Sequence, residues 1–213
     1  MKPSLIKVCG MTNLEDAQAA ADFGANAVGF IFYPKSPRYL SLEAACDISR
    51  QLPQGVLTFS VTVNASDEEI RQIDRELKPD RFQLHGHESV EAVHALKVNE
   101  EQLIKAVGIP YPDDFPALNE FPVGAFLLDK ASSKYGGTGE VIDWKVAQSL
   151  NHALASYSKP IILSGGLTPD NVVQAIEIVQ PYGVDVCSGV ESRPGRKDHK
   201  KMRDWIQRCQ QQQ

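Results

Sequence analysis

Eight short runs rich in β-branched and apolar residues, alternating with longer amphipathic stretches over 213 residues, predict a single-domain α/β chain folded as a (β/α)8 TIM barrel. Two further observations favour closure. About 27 residues per strand–helix unit suits a barrel near the small end of its size range. No Pro/Gly/Ser-rich linker divides residues 1–213, and Cys9-Gly10-Met11-Thr12 is echoed by Gly165-Gly166-Leu167-Thr168, as repeated units would be. The competing architecture is an open doubly wound sheet, which the same alternation permits.

The expected strands are Leu5–Cys9, Ala27–Phe32, Val56–Val63, Arg81–Leu84, Gln102–Ala106, Gly124–Leu128, Pro160–Leu163 and Gly183–Val186. Helices fill the intervals, several with start signals. Thr12 with Glu15, and Ser66 with Glu69, have capping-box spacing. Thr168 before Pro169 reads as an N-cap followed by an N1 proline, Asp143 as a cap, and Gly24 as the stop of the first helix.

Composition removes several classes. Lys plus Arg number 22 against 27 Asp plus Glu, a formal charge of −5, so a general nucleic-acid binder is not expected. No apolar run approaches the ~18–20 residues of a membrane helix, and Met1-Lys2-Pro3 enters a strand-like run without a signal-peptide core. Cys9, Cys46, Cys187 and Cys209 lie far apart, which argues against a zinc site or a disulfide scaffold and for a reducing, cytoplasmic setting.

Barrel chemistry collects at the carboxyl ends of the strands. At the first, Lys7 and Cys9 share a face; Cys9 is either a thiol in the barrel mouth or a small buried hydrophobe. At the sixth, Asp129 is a loop residue or a catalytic acid or base, and Ser132–Gly139 beyond it a mobile active-site loop or a long turn. After strands seven and eight, Gly165, Gly166, Ser188 and Gly189 form a matched pair of loops suited to a phosphate. Between two prolines and a tyrosine, Arg38 is either fixed to grip a carboxylate or a solvated basic turn. His85 and His87 form an H-x-H, but the shared-face argument lapses at Gly86, so no metal is expected; His85 lines the pocket, while His87, His94, His152 and His199 read as surface or helix positions.

These blocks, with Gly29-Phe30-Ile31-Phe32-Tyr33-Pro34-Lys35-Ser36-Pro37-Arg38, Gln83-Leu84-His85-Gly86, Leu128-Asp129-Lys130, Tyr135-Gly136-Gly137-Thr138-Gly139 and Val184-Asp185-Val186-Cys187-Ser188-Gly189-Val190-Glu191, resemble phosphoribosylanthranilate isomerases over essentially the whole chain. The resemblance implies an Amadori rearrangement in tryptophan biosynthesis, with Cys9 as general base, Asp129 as general acid, and Arg38 on the anthranilate carboxylate. It implies no cofactor and no metal, a phosphorylated small-molecule substrate, and a monomer or homodimer. Those roles ask Asp129 to hold a proton near neutrality and Cys9 to reach the thiolate. Departures from the family pattern are small: Phe59-Ser60-Val61-Thr62-Val63-Asn64 is less apolar than usual, Cys187 stands where serine is common, and Ile142 replaces a Phe. The rivals are another phosphosugar barrel enzyme, whose metal, paired Asp or Lys and Glu set has no place at these strand ends, and a non-catalytic phosphate-binding barrel, which loss of Cys9 or Asp129 would have favoured.

Overall fold

The computed structural model describes residues 2–109, 115–130 and 141–211. Strands β1 (Leu5–Cys9), β2 (Ala27–Ile31), β3 (Leu57–Thr62), β4 (Arg81–Leu84), β5 (Leu103–Ile109), β6 (Ala125–Lys130), β7 (Ile161–Leu163) and β8 (Gly183–Val186) pair in parallel, in sequence order. The ring closes where β1 meets β8, with Val8 opposite Val186, which excludes the open sheet. Helices α1 (Leu14–Asp22), α2 (Leu42–Ser49), α3 (Asp67–Glu76), α4 (Val90–His94), α5 (Trp144–Ala155), α6 (Val172–Val179) and α7 (His199–Gln210) surround it. Among the described residues no helix is long and apolar enough to cross a membrane.

Strand alternation sorts side chains into two cores. Val8, Val28, Phe30, Phe82, Phe126 and Leu128 face outward and pack with helix residues such as Ala17, Ile70, Leu150 and Trp205. Leu5, Phe59, Ile104, Leu127 and Ile162 point inward and plug the barrel. Above that plug the inward positions turn polar, and there the site begins.

Four local expectations change. The β5–β6 connection holds a 3-10 turn, Phe115–Glu120, and no α-helix among its described residues; Pro110, Pro112, Pro116 and Pro122 each remove a backbone donor in this stretch. The cap of α1 is Asn13, whose side chain accepts from the Asp16 N–H at 2.9 Å, while the Thr12 hydroxyl donates to the Gly195 carbonyl. Helix α6 starts at Val172 rather than after Thr168, because the Asn171 side chain ties off the preceding turn, accepting from the Thr168 N–H and donating to the Gly166 carbonyl. Beyond β8 lies an unanticipated antiparallel hairpin, β9 (Glu191–Arg193) and β10 (Arg196–Lys197). The Ser66–Glu69 capping box, the Asp143 cap and the left-handed Gly24 (φ 100°) after α1 are all present.

Candidate active site

Lys7 and Cys9 project inward from β1. Cys9 pairs with Gly29 of β2, and a Cβ at Gly29 would lie 2.8 Å from Cys9 Sγ and 3.3 Å from Lys7 Cε. Glycine at this point leaves both side chains room to lie over β2. Lys7, fully buried, donates to Asp185 Oδ1 at 2.9 Å and Gln83 Oε1 at 3.1 Å, and sits 5.1 Å from the centre of the Phe59 ring. Burial disfavours its charge, but Asp185 outweighs that and holds the ammonium above its ordinary range.

Burial pushes the Cys9 thiol up to about 12, with Lys7 and Lys197 pulling it partly back. The direction is opposite to the thiolate expected near neutrality. The reason is burial, reinforced by the negative charge of Asp185, which limits what Lys7 can pull back. Cys9 therefore rests as a thiol, and the ultraviolet thiolate absorbance that disappears in Cys9→Ser should emerge only above about pH 10. A Cys9 thiolate signal at neutral pH would overturn this.

Lys197, from the β9–β10 hairpin, donates to the Cys9 carbonyl (2.7 Å) and the Cys187 carbonyl (3.1 Å), binding the ends of β1 and β8 together. Its Nζ lies 4.0 Å from Cys187 Sγ, whose thiol burial also raises.

Asp129 is carried on β6 because β5 runs on to Ile109, extending the ladder so that Gly108 pairs with Asp129. Its Oδ1 accepts from the Lys130 N–H at 2.7 Å, and its Oδ2 lies 3.3 Å from His85 Nε2. His85 Nδ1 in turn lies 2.9 Å from Gln83 Nε2. Its loop is braced by Lys105, which donates to the Gly86 carbonyl and pairs with Glu88, and by Glu88 accepting from the Gly86 N–H.

Arg38 is buried, and its fork is turned on the chain's own Glu191: Nε donates to Oε1 at 2.8 Å and Nη2 to Oε2 at 2.7 Å. Glu191 raises the guanidinium further above its already high range. The solvated-turn alternative is excluded. The fork expected to meet a substrate carboxylate is thus held by a protein carboxylate, and the Nη1 edge lies outside that pair.

The two glycine loops meet. Gly165 and Gly166 have φ of 77° and 74°, conformations costly for residues with a Cβ. A Cβ at Gly165 would come within 3.2 Å of Asp129 Oδ1, and one at Gly189 within 1.9 Å of the Leu167 carbonyl oxygen. Because the latter obstacle is backbone, Gly189→Ala must displace one loop. Its expected cost is about 1–3 kcal/mol of stability, read from the urea midpoint, with a weaker grip on inorganic phosphate. Unchanged stability and phosphate affinity would show that the loops need not touch.

The structure thus brings Cys9, Asp129 and His85 to the carboxyl end of one barrel, with the Gly165-Gly166 and Ser188-Gly189 loops on the two strands between β6 and β1. Ser132–Gly139 lies outside the described residues; among the described residues no group of three or more His, Cys, Asp and Glu suited to a metal is found. Beside Lys7, whose shared face with Cys9 the sequence shows, the site contains Gln83, Asp185, Glu191 and Lys197, which the sequence does not single out. A signal existed for Gln83, which stands two positions before His85, itself one residue past the end of β4, so extended backbone puts both on one face.

Residues 6–208 match the family model described as N-(5'phosphoribosyl)anthranilate (PRA) isomerase. The N-(5'-phosphoribosyl)anthranilate isomerase of Thermotoga petrophila is 46% identical over 205 residues, covering 94% of this chain and 96% of that one. Among solved structures, the phosphoribosyl anthranilate isomerase of Thermotoga maritima is 39% identical, with a TM-score of 0.86 over 96% of this chain and 98% of that one. A second isomerase structure, in complex with reduced 1-(o-carboxyphenylamino)-1-deoxyribulose 5-phosphate, is 37% identical, with a TM-score of 0.82 over 96% of this chain and 97% of that one. With the closed barrel and these likenesses in agreement, the chain belongs to the N-(5'-phosphoribosyl)anthranilate isomerase family.

Proposed function

We propose that this chain carries out its family's isomerisation, a step of tryptophan biosynthesis, with Asp129 as general acid and Cys9 as general base. The observation that carries the assignment is their placement. Both project from the carboxyl ends of strands in one barrel, and β7 and β8, with their glycine loops, occupy the interval between them. A 5'-phosphate seated on Gly165, Gly166, Ser188 and Gly189 then sets the ribose between acid and base.

The chemistry follows from that seating. Asp129 gives its proton to the ring oxygen as the C1–O bond breaks, leaving an iminium at C1. The iminium acidifies the C2 hydrogen, which Cys9 removes, and the enolamine formed settles as the ketone. C1 is reduced and C2 oxidised within one molecule, so the steps call on proton transfers and on no cofactor or metal. Lys7 and Lys197 supply the positive charge that favours the Cys9 thiolate as the reaction demands it. Arg38, held rigid by Glu191, offers its outer edge to the anthranilate carboxylate. The four free cysteines suit a reducing cytoplasm.

Purified protein mixed with freshly made N-(5-phosphoribosyl)anthranilate should quench the substrate's fluorescence with saturable kinetics and yield the open-chain ketose phosphate. Quenching at the uncatalysed rate would defeat the proposal.

A further inference from the structure

Between Asp129 and Lys7 the direction of every hydrogen bond is dictated by one group. The Lys7 ammonium donates only, so the amide oxygen of Gln83, 3.1 Å away, must face it. That turns the Gln83 NH2 toward His85 Nδ1, at 2.9 Å. An NH2 group also only donates, so Nδ1 accepts, and the proton of the neutral ring sits on Nε2. Nε2 stands 3.3 Å from Asp129 Oδ2. Lys7 itself has no freedom to turn, being fully buried and bonded to Asp185 at 2.9 Å.

We propose that Gln83 and His85 are positioning residues for Asp129: Gln83 holds His85 as the Nε2–H tautomer, and that N–H steers and stabilises the carboxylate. The inference rests on the assignment of Asp129 as the acid. It changes the role of His85 from the substrate contact read from the sequence to a contact with the acid.

The energetic consequence is directional. When Asp129 delivers its proton, negative charge appears on a carboxylate whose Oδ1 already accepts from the Lys130 N–H and whose Oδ2 faces the His85 N–H. Hydrogen bonds to an ionised acceptor are shorter and stronger than those to a neutral one, so the His85 contact tightens as the proton leaves. An interaction that grows on the way to the transition state raises kcat and leaves KM alone. The array does not conduct a proton to Asp129, because the Gln83 amide neither takes up nor gives up a proton; it orients.

His85→Leu should therefore lower kcat by about ten- to a hundredfold with KM within about twofold. His85→Gln, whose amide NH2 reaches the same place, should recover most of that loss. In an Asp129→Asn background, His85→Leu should cost at most about twofold more. Independently of catalysis, 15N shifts of labelled histidine should show His85 protonated on Nε2 in the native protein and a tautomer mixture in Gln83→Met.

A rise in KM alone, a kcat loss fully additive with Asp129→Asn, or a ring protonated on Nδ1 would each overturn the positioning role while leaving Asp129 as the acid. Native turnover in Asp129→Asn would remove the acid assignment and the positioning role with it.

Discussion

Cys9→Ser should lower turnover by about 10²–10⁴-fold, the range for loss of a general base, while the reduced ketose phosphate still binds within a few-fold of native affinity. Serine nearly preserves the shape of the side chain, so the space over Gly29 stays filled and the Lys197 bond to the residue 9 carbonyl is untouched. What changes is the atom that must take the C2 proton. A thiol pushed up to about 12 is already a reluctant base, yet Lys7 and Lys197 beside it favour its ionised form. A serine hydroxyl is far less acidic than any thiol, so the same two cations bring it nowhere near ionisation. The loss should fall on kcat, measured by single-turnover fluorescence. Turnover within about threefold of native, with normal thermal unfolding, would place the base elsewhere.

Local order was the most legible part of the chain. The ends of β1, β4 and β8 fall where the β-branched runs end, because alternation and burial coincide there. The apolar run predicts an end of β5 at Ala106, and pairing with β6 carries the strand three residues further, through Ile109. The α1 cap shifted from Thr12 to Asn13 because Gly195, far away in sequence, takes the Thr12 hydroxyl.

The site shows the same division. Cys9 and Asp129 are candidates because the family resemblance singles them out; a polar residue ending an apolar strand leaves each of them open to a structural reading as well. Their environment is not local. Lys7 meets Asp185 across 178 positions, and Arg38 meets Glu191 across 153. Burial holds the thiol up, Asp185 limits what Lys7 can pull back, and Glu191 engages the arginine fork; no window of sequence contains these relations.

Asp129→Asn should also cost about 10²–10⁴-fold in turnover, and the pH dependence of what remains should report the base. Asparagine keeps the size of the side chain but has no proton to give the ring oxygen. It also meets two N–H donors, Lys130 N and His85 Nε2, with a single oxygen, so one donor faces an NH2 group. Asp129→Ala is the companion variant that lacks this opposition, and equal turnover losses in the two would assign the effect to the missing proton. With the acid gone, the residual rate follows the Cys9 thiolate alone. A base works deprotonated, and because Cys9 is pushed up to about 12, its thiolate fraction grows about tenfold for each unit of pH at every pH well below that value. The residual kcat/KM should therefore climb about tenfold per unit between about pH 6 and pH 9. A residual rate that stays flat over this range would mean that the Cys9 thiolate is not the base on which the reaction waits.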